Sequence, residues 1–244
     1  MAKLSRSIRS ALRLGRGGLW LPSALLRGRD LNWKLITVDI FATLLARNGD
    51  SDAAWQEGAV HAVEVAQLRG LAIKQEPLAL RRVIELRLSH ELLLKGRDPE
   101  FSNQDTHESM LRELGAGDWA KAEAQKLAEW ELQREIVHTR PVMSMAQSVR
   151  HWADANKRVV AVSDTRYTAH ELAVLLSRHD ILDLSAIYAS ADHGASKFSG
   201  RLFDIVAKSE NVDPQHMLHI GDDLCADALS AAERGLAVRR VKGQ

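Results

Sequence analysis

Four polar residues occupy positions from which they could carry out hydrolytic chemistry, each at the end of a short apolar segment or in a loop after one. They are Asp39, Ser163, Lys197 and Asp222. A carboxylate nucleophile, a hydroxyl and an ammonium suit phosphoryl transfer, because the ammonium neutralises phosphate charge and the hydroxyl binds a phosphoryl oxygen. Further acids near them suit magnesium, which prefers oxygen ligands. Each residue alone could equally be a helix cap or part of a turn, so the hypothesis rests on their combination.

The segments that must position these residues are predicted strands of a parallel sheet. From residue 142 onwards, apolar segments rich in β-branched residues alternate with helical patterns, which is typical of a parallel sheet covered on both faces. The predicted strands are residues 35–39, 158–163, 186–189, 217–220 and 238–241. Ligands bind beyond the carboxyl ends of such strands, so Asp39, Ser163 and Asp222 are expected to share one crevice.

A long segment with helical spacing separates the first two strands of this predicted sheet. Apolar residues such as Leu80 and Ile84 recur there at intervals of three and four, which is typical of helices. We therefore predict an α/β fold with two parts. Residues 35–50 and 139–244 form a doubly wound, Rossmann-like core, and residues 51–138 form an inserted, all-helical cap.

The order of the polar residues resembles the four sequence motifs of the haloacid dehalogenase superfamily. The first motif runs from Val38 to Leu45, the second is Val162-Ser163-Asp164, the third is Lys197, and the fourth runs from Ile220 to Asp227. Any one of these motifs is unspecific, but four in this order at predicted strand ends make a specific pattern. The resemblance covers residues 35–241. It implies the core predicted above, and it makes the helical insertion a cap that closes over the site and selects the substrate.

This resemblance implies a role for each matching catalytic residue. Asp39 is the nucleophile that forms a covalent aspartyl intermediate, and Thr43 supports the turn after it. Ser163 binds the phosphoryl group. Lys197 orients both that group and the Asp39 carboxylate.

The resemblance also implies a magnesium centre and, with it, a reaction. The implied ligands are Asp39, the backbone carbonyl of Phe41, and Asp222, with Asp227 or Asp223 assisting. The cofactor is then Mg²⁺. The expected activity is magnesium-dependent hydrolysis of a phosphate monoester of a small molecule, which is the expected partner.

Position 41 departs from the pattern of the superfamily's phosphatases. They place a second aspartate there, which protonates the leaving group and activates water, whereas this chain has Phe41. Loss of a general acid/base typically costs about 10²–10⁴ in rate. Asp164 is a candidate substitute, and it joins Ser163, Lys197 and Arg47 as a predicted substrate-binding residue.

Two alternative functions remain open because of Phe41. The first is a catalytically weak or inactive module for binding or assembly. In support, an aromatic at this position followed by Thr-Leu-Leu-x-Arg, which Arg47 completes, resembles domains associated with bacterial surface-polysaccharide genes. The second is a carbon–halogen hydrolase, since the superfamily's dehalogenases also carry an aromatic there. Against it, the acidic cluster of the fourth motif is suited to a cation.

Charge and cysteine content bear on location and partners. Residues 1–34 hold eight cations and one acid, while the rest holds 25 cations and 31 acids. This basic, amphipathic arm predicts peripheral contact with an anionic membrane or a protein. No recognition module or interleaved aromatics accompany it, so we expect no nucleic-acid binding. The single cysteine, Cys225, excludes an internal disulfide, and together with the lack of a long apolar run it indicates a cytoplasmic protein.

Overall fold

The computed structural model describes residues 33–243. Its centre is a five-stranded parallel sheet with the strand order β5-β4-β1-β6-β7. The strands are β1 (Leu35–Val38), β4 (Arg158–Ser163), β5 (Ala186–Ala189), β6 (Met217–Gly221) and β7 (Ala237–Arg240). The first strand of the chain lies at the middle of the sheet, where β4 and β6 pair with it on either side.

Apolar residues cover both faces of this sheet, because successive side chains of a strand point in opposite directions. Leu35 and Val160 pack on one face against helices α8 (Arg201–Ser209) and α9 (Ser230–Glu233). Ile36 and Val159 pack on the other face, which is covered by the helices α5 (Met143–Asp154) and α6 (Ala169–Ser177). A short helix, α7 (Ser190–His193), follows β5. The predicted doubly wound α/β core is confirmed.

Four helices lie between β1 and β4 in the chain and form a helical cap with its own apolar core. They are α1 (Ala53–Leu68), α2 (Pro77–Leu94), α3 (Asn103–Glu113) and α4 (Ala120–His138). Buried residues from all four helices meet in this second core, for example Ala62, Ile84, Met110 and Leu127. The all-helical cap that the sequence predicts is therefore present.

A short two-stranded ribbon joins the cap to the core, and the sequence pattern does not predict it. The ribbon pairs β2 (Leu45–Arg47) antiparallel with β3 (Thr139–Pro141), so the two chain crossings lie side by side. Strands of three residues are too short to show an alternating pattern. Within residues 33–243, no helix is long and apolar enough to span a membrane. The predicted basic arm lies almost wholly outside the described residues.

The cap core also contains a buried ion pair, which makes Gly58 a sensitive position. The Arg81 guanidinium, fully buried, donates to both Glu131 carboxylate oxygens at 2.7 and 3.0 Å. A Cβ added at Gly58 would lie 2.2 Å from Oε2 of Glu131 and 2.9 Å from Nη1 of Arg81. Any larger residue must therefore displace both partners of the pair.

We expect Gly58→Ala to lower the free energy of unfolding by about 1–3 kcal/mol, the usual cost of overpacking. The matched control is Gly117→Ala, because nothing lies within 4 Å of a Cβ added at Gly117. Urea unfolding of the two variants measures the difference. Equal midpoints would contradict the close packing at Gly58.

Candidate active site

The side chains of Asp39 and Lys197 meet in the crevice at the carboxyl end of β1. The Lys197 ammonium donates to Oδ1 of Asp39 at 2.5 Å and to Oδ1 of Asp227 at 2.6 Å. Asp39 is 5% exposed, Lys197 3% and Asp227 1%. An ammonium buried between two carboxylates forms strong charge-assisted hydrogen bonds, so this triad fixes the position of the Asp39 carboxylate.

The two carboxylates that share Lys197 differ in how well their charge is compensated. Burial raises the pKa of Asp39 to about 7, although Lys197 opposes that shift. Burial also raises the pKa of Asp227, but hydrogen bonds and charge from His219 and Lys197 outweigh it and hold that pKa well below its usual range. Asp39 is therefore the less stabilised anion of the pair, and additional positive charge at the site favours its ionised form.

His219 and Asp223 supply the additional contacts of Asp227. The His219 Nε2 atom lies 3.1 Å from Oδ1 of Asp227, while its Nδ1 lies 2.8 Å from the Thr37 hydroxyl. The Asp223 amide donates to Oδ2 of Asp227 at 2.9 Å. The sequence pattern predicts no role for His219, because a single histidine in an apolar strand has no recognisable partner. In the fold it orients the Asp227 carboxylate.

Asp39, Asp222 and Asp227 form a candidate metal centre. Each offers a carboxylate oxygen, and the three oxygens lie within 4.8 Å of one another. The Thr43 hydroxyl lies 3.5 Å from Oδ1 of Asp222, so this predicted turn residue also contacts the acidic cluster. Carboxylate oxygens are the ligands that Mg²⁺ takes in proteins, so the donor set fits that ion.

The local backbone explains how Asp227 reaches this centre. Residues Leu224–Leu229 form a π-helical turn where the sequence predicts the start of an ordinary helix at Ala226. A π-turn carries one extra residue, which rotates the residues after it. A Cβ at Gly221 would lie 2.2 Å from Oδ2 of Asp227, so glycine is required at the end of β6 for this close approach.

Asp223 lies outside the group of three converging carboxylates. Its Oδ1 accepts hydrogen bonds from the amides of Cys225 and Ala226 at 2.7 and 2.6 Å. The carboxylate thus caps the turn that carries Asp227, and the geometry favours Asp227 over Asp223 as the acid that assists Asp222, while a metal role for Asp223 stays a prediction. The carbonyl of Phe41 belongs to the turn after Asp39, and its role as a ligand stays a prediction.

Binding of Mg²⁺ at this centre is expected to stabilise the protein by relieving repulsion among the three carboxylates. At 100 times its dissociation constant, a ligand of the folded state adds about 2.7 kcal/mol. For a chain of this size we expect the melting temperature to rise by about 5–10 °C. Calorimetry with and without Mg²⁺ measures the rise.

The variants Asp222→Asn and Asp223→Asn provide the comparison. Asp222→Asn removes a converging carboxylate and should abolish most of the rise. Asp223→Asn should keep it, because asparagine caps a helical turn as well as aspartate does. An equal loss in both variants would place the ion elsewhere.

Asp164 holds the loop that carries Lys197, and its role as a substitute acid/base stays a prediction. Its Oδ1 accepts from the Lys197 amide at 2.6 Å and its Oδ2 from the Phe198 amide at 3.1 Å. Both oxygens are thus occupied by backbone donors. Ser163, at the end of β4, is 1% exposed. Its role in binding a phosphoryl oxygen stays a prediction.

Phe41 and Arg47 lie together in the lining of a cavity between cap and core. The Arg47 guanidinium carbon is 4.3 Å from the centre of the Phe41 ring, and Nε of Arg47 donates to Glu135 at 2.8 Å. The cavity has a volume of about 490 Å³ and is lined by residues of both parts, including Trp55, Glu85 and Tyr167. Phe41 and Asp164, which closely follow Asp39 and Ser163 in the chain, also line it. A volume of this size accommodates a small molecule.

The parallel core with its helical cap has the fold of solved haloacid dehalogenases and related hydrolases. A 2-haloacid dehalogenase from Pseudomonas syringae pv. Tomato has this fold, with a TM-score of 0.59 and 19% identity over 84% of this chain and 85% of that one. The predicted resemblance is confirmed at the level of the fold.

Two further solved structures share the fold. A protein from Haemophilus somnus described as a predicted phosphoglycolate phosphatase has a TM-score of 0.52 and 13% identity over 85% of this chain and 84% of that one. A protein from Bacillus subtilis described as a putative HAD-hydrolase, bound to magnesium, has a TM-score of 0.50 and 16% identity over 85% of this chain and 86% of that one. No protein-family model and no curated protein sequence matches the chain.

Proposed function

We propose that this protein is a magnesium-dependent hydrolase of the haloacid dehalogenase type that cleaves small phosphate monoesters through Asp39. The observation that carries the proposal is the buried triad in which Lys197 holds the carboxylates of Asp39 and Asp227. Asp222 completes the group of acids beside it. A nucleophile, a fixed ammonium and a set of oxygen ligands are the parts that phosphoryl transfer requires.

The expected reaction has two steps. An Asp39 oxygen attacks phosphorus, an O–P bond forms, and the bond to the leaving-group oxygen breaks. Water then attacks the aspartyl-phosphate and releases phosphate, which frees Asp39. Ser163 and Lys197 bind the phosphoryl oxygens in both steps. Mg²⁺, when bound by the three carboxylates, supplies charge that neutralises the phosphoryl group and favours ionised Asp39.

Proton transfer is the weak part of this machinery. Phe41 has no proton to donate, and the acids lining the cavity are mostly engaged in other contacts: Asp164 binds backbone amides, while Glu135 binds Arg47 and accepts from the Tyr167 hydroxyl. We therefore expect a preference for leaving groups that depart as stable anions, such as acyl or aryl phosphates. Hydrolysis of the aspartyl-phosphate also needs a general base to activate water, and Phe41 cannot act as one. The aspartyl-phosphate should therefore accumulate.

The test is a panel of phosphate esters and acyl phosphates, followed by rapid quench with Mg²⁺ present. We expect a burst of leaving-group release that approaches one equivalent per chain, because each chain forms one aspartyl-phosphate. Slower, steady release of phosphate should follow. Removal of Mg²⁺ with a chelator should abolish both phases. Absence of a burst and of turnover, in a folded protein that binds Mg²⁺, would contradict the proposal.

The packing of Phe41 against Arg47 supports a second candidate function, a non-catalytic module for binding or assembly. In that case the cavity binds a ligand without turning it over. The same panel separates the two functions, since a ligand of such a module shifts the melting temperature but releases no phosphate. A carbon–halogen hydrolase is a third candidate, and it would release halide from 2-haloacids without Mg²⁺.

We also propose that the basic arm, residues 1–34, binds anionic membrane surfaces at the cytoplasmic face. The proposal rests on its excess of cations over acids. Co-sedimentation with anionic vesicles should be lost when residues 2–30 are deleted and should weaken at high salt. Binding that persists after the deletion would contradict this proposal.

A further inference from the structure

The loop between α2 and α3 brings a cap carboxylate, Asp98, into the core. Its Oδ2 accepts hydrogen bonds from the Ser196 amide at 2.8 Å and from the Ser199 hydroxyl at 2.5 Å. Its Oδ1 lies 3.2 Å from Nη1 of Arg201. Asp98 is 7% exposed, although Arg97 and Glu100 in the same loop are more exposed. The cap therefore places a buried charge directly on a core loop.

The core loop that Asp98 contacts is the one that carries Lys197. Asp98 binds Ser196 and Ser199 on either side of Lys197, while Asp164 of the core binds the amides of Lys197 and Phe198. Two carboxylates, one from the cap and one from the core, thus hold the backbone of this loop. The loop ends at Gly200, whose φ of +80° is a conformation that favours glycine.

Docking of the cap is what provides Asp98 with these partners. A buried carboxylate is stable only when it is hydrogen-bonded or paired. Within residues 33–243, the partners of the Asp98 carboxylate are Ser196, Ser199 and Arg201, which all belong to the core. If the cap moves away, Asp98 returns to water and the Ser196 amide and Ser199 hydroxyl lose their acceptor. The position of the cap and the order of the Lys197 loop are therefore energetically linked.

Other contacts show that Asp98 belongs to a continuous cap–core interface. Arg201 also donates to the Gly96 carbonyl at 3.2 Å. In the lining of the cavity, Nη2 of Arg166 lies 3.2 Å from Oε2 of Glu85, and the Asn103 amide donates to the Arg166 carbonyl at 2.9 Å. Closure over the cavity and the contact of Asp98 with the Lys197 loop therefore occur in the same arrangement.

We propose that Asp98 is a positioning residue that couples cap closure to the orientation of Lys197. When the cap is closed, Asp98 fixes residues 196–199, and Lys197 is held against Asp39. When the cap is open, the loop loosens and Lys197 no longer holds the nucleophile. This inference rests on the proposed function for its catalytic consequence, but its structural part does not require turnover.

The first measurement is hydrogen exchange of the full chain, in the variants Asp98→Ala and Asp98→Asn. We expect exchange in peptides covering residues 194–200 to become about tenfold faster or more in Asp98→Ala, because the acceptor of the Ser196 amide is lost. Asp98→Asn keeps an acceptor oxygen and should show a smaller change. The control is Asp118→Asn, an exposed cap carboxylate, which should behave like the wild type.

The second measurement is steady-state kinetics of the same variants. Positioning of Lys197 predicts a fall in kcat of about tenfold or more in Asp98→Ala with a smaller change in KM, and partial recovery in Asp98→Asn. Ser199→Ala, which removes one hydroxyl that Asp98 accepts from, should change loop exchange and kcat in the same direction. It serves as the test if Asp98→Ala does not fold.

The outcomes separate this inference from the proposed function. Unchanged exchange at residues 194–200, or faster exchange spread uniformly over the core, would overturn the positioning role. If exchange in Asp98→Ala becomes faster only in this loop, and the wild-type protein shows no turnover, the coupling is supported and the proposed hydrolase is contradicted. An unchanged kcat in an active enzyme with a loosened loop would also overturn the inference.

Discussion

Asp39→Asn is expected to abolish turnover, with a loss of about 10⁴-fold or more, the order found when a nucleophile is removed from a group of residues that acts together. The amide is a poor nucleophile, and no other carboxylate replaces it: Asp222 lies toward the candidate metal centre, and Asp227 is held by Lys197 and His219. Both the burst and the steady release of phosphate should disappear. Rapid-quench and steady-state assays with Mg²⁺ measure the two phases.

Stability provides the control for this variant. Burial raises the pKa of Asp39 from its ordinary value of 3.8 to about 7, so the metal-free fold loses stability as the pH rises between these two values and carries the full cost at pH 8. Asp39→Asn removes that charge. The melting temperature without Mg²⁺ at pH 8 should therefore be equal to or higher than that of the wild type. A large fall in melting temperature would mean that lost activity reflects misfolding, and retained turnover would exclude Asp39 as the nucleophile.

Phe41→Asp has the second large expected effect, an increase in activity. It places a carboxyl group at the position where the phosphatases that the motifs resemble carry their general acid/base. The Arg47 guanidinium, which packs on the Phe41 ring, lies within reach of the new charge. For alkyl phosphates, whose leaving groups need a proton, we expect the rate to rise by about 10²–10⁴. For acyl or aryl phosphates the rate of the first step should change little. Turnover across a series of leaving groups measures both.

Phe41→Asn is the matched control, because asparagine has nearly the same shape as aspartate and cannot transfer the proton. It should not raise the rate on alkyl phosphates. If both variants behave alike, the effect comes from space or packing at position 41. If neither is active and the wild type is also inactive, the non-catalytic module becomes the better explanation of Phe41.

The sequence was sufficient to predict the parallel core and the helical cap, but not the two-stranded ribbon that joins them. The strand segments around residues 35–39, 158–163 and 217–220 are short, apolar and β-branched, and the residues between the first two have helical spacing. A strand that is buried on both faces of a sheet is apolar along its whole length, so the sequence identifies it without reference to its neighbours. The sequence pattern also placed Asp39 and Asp222 at the ends of strands, and the carboxyl ends of parallel strands meet at one edge of a sheet. The structure brings both into the predicted crevice.

Only the tertiary structure decided what each acid does. The sequence pattern does not distinguish the roles of Asp164, Asp222, Asp223 and Asp227. In the structure, Asp164 holds the Lys197 loop and Asp223 caps a turn. Asp222 and Asp227 converge with Asp39. The decisive contacts join residues far apart in the chain, such as Asp39 with Lys197 and Asp98 with Ser196. Local patterns are set by which face of an element is buried, whereas the partner of a carboxylate depends on distances that exist only after the cap and the core have packed together.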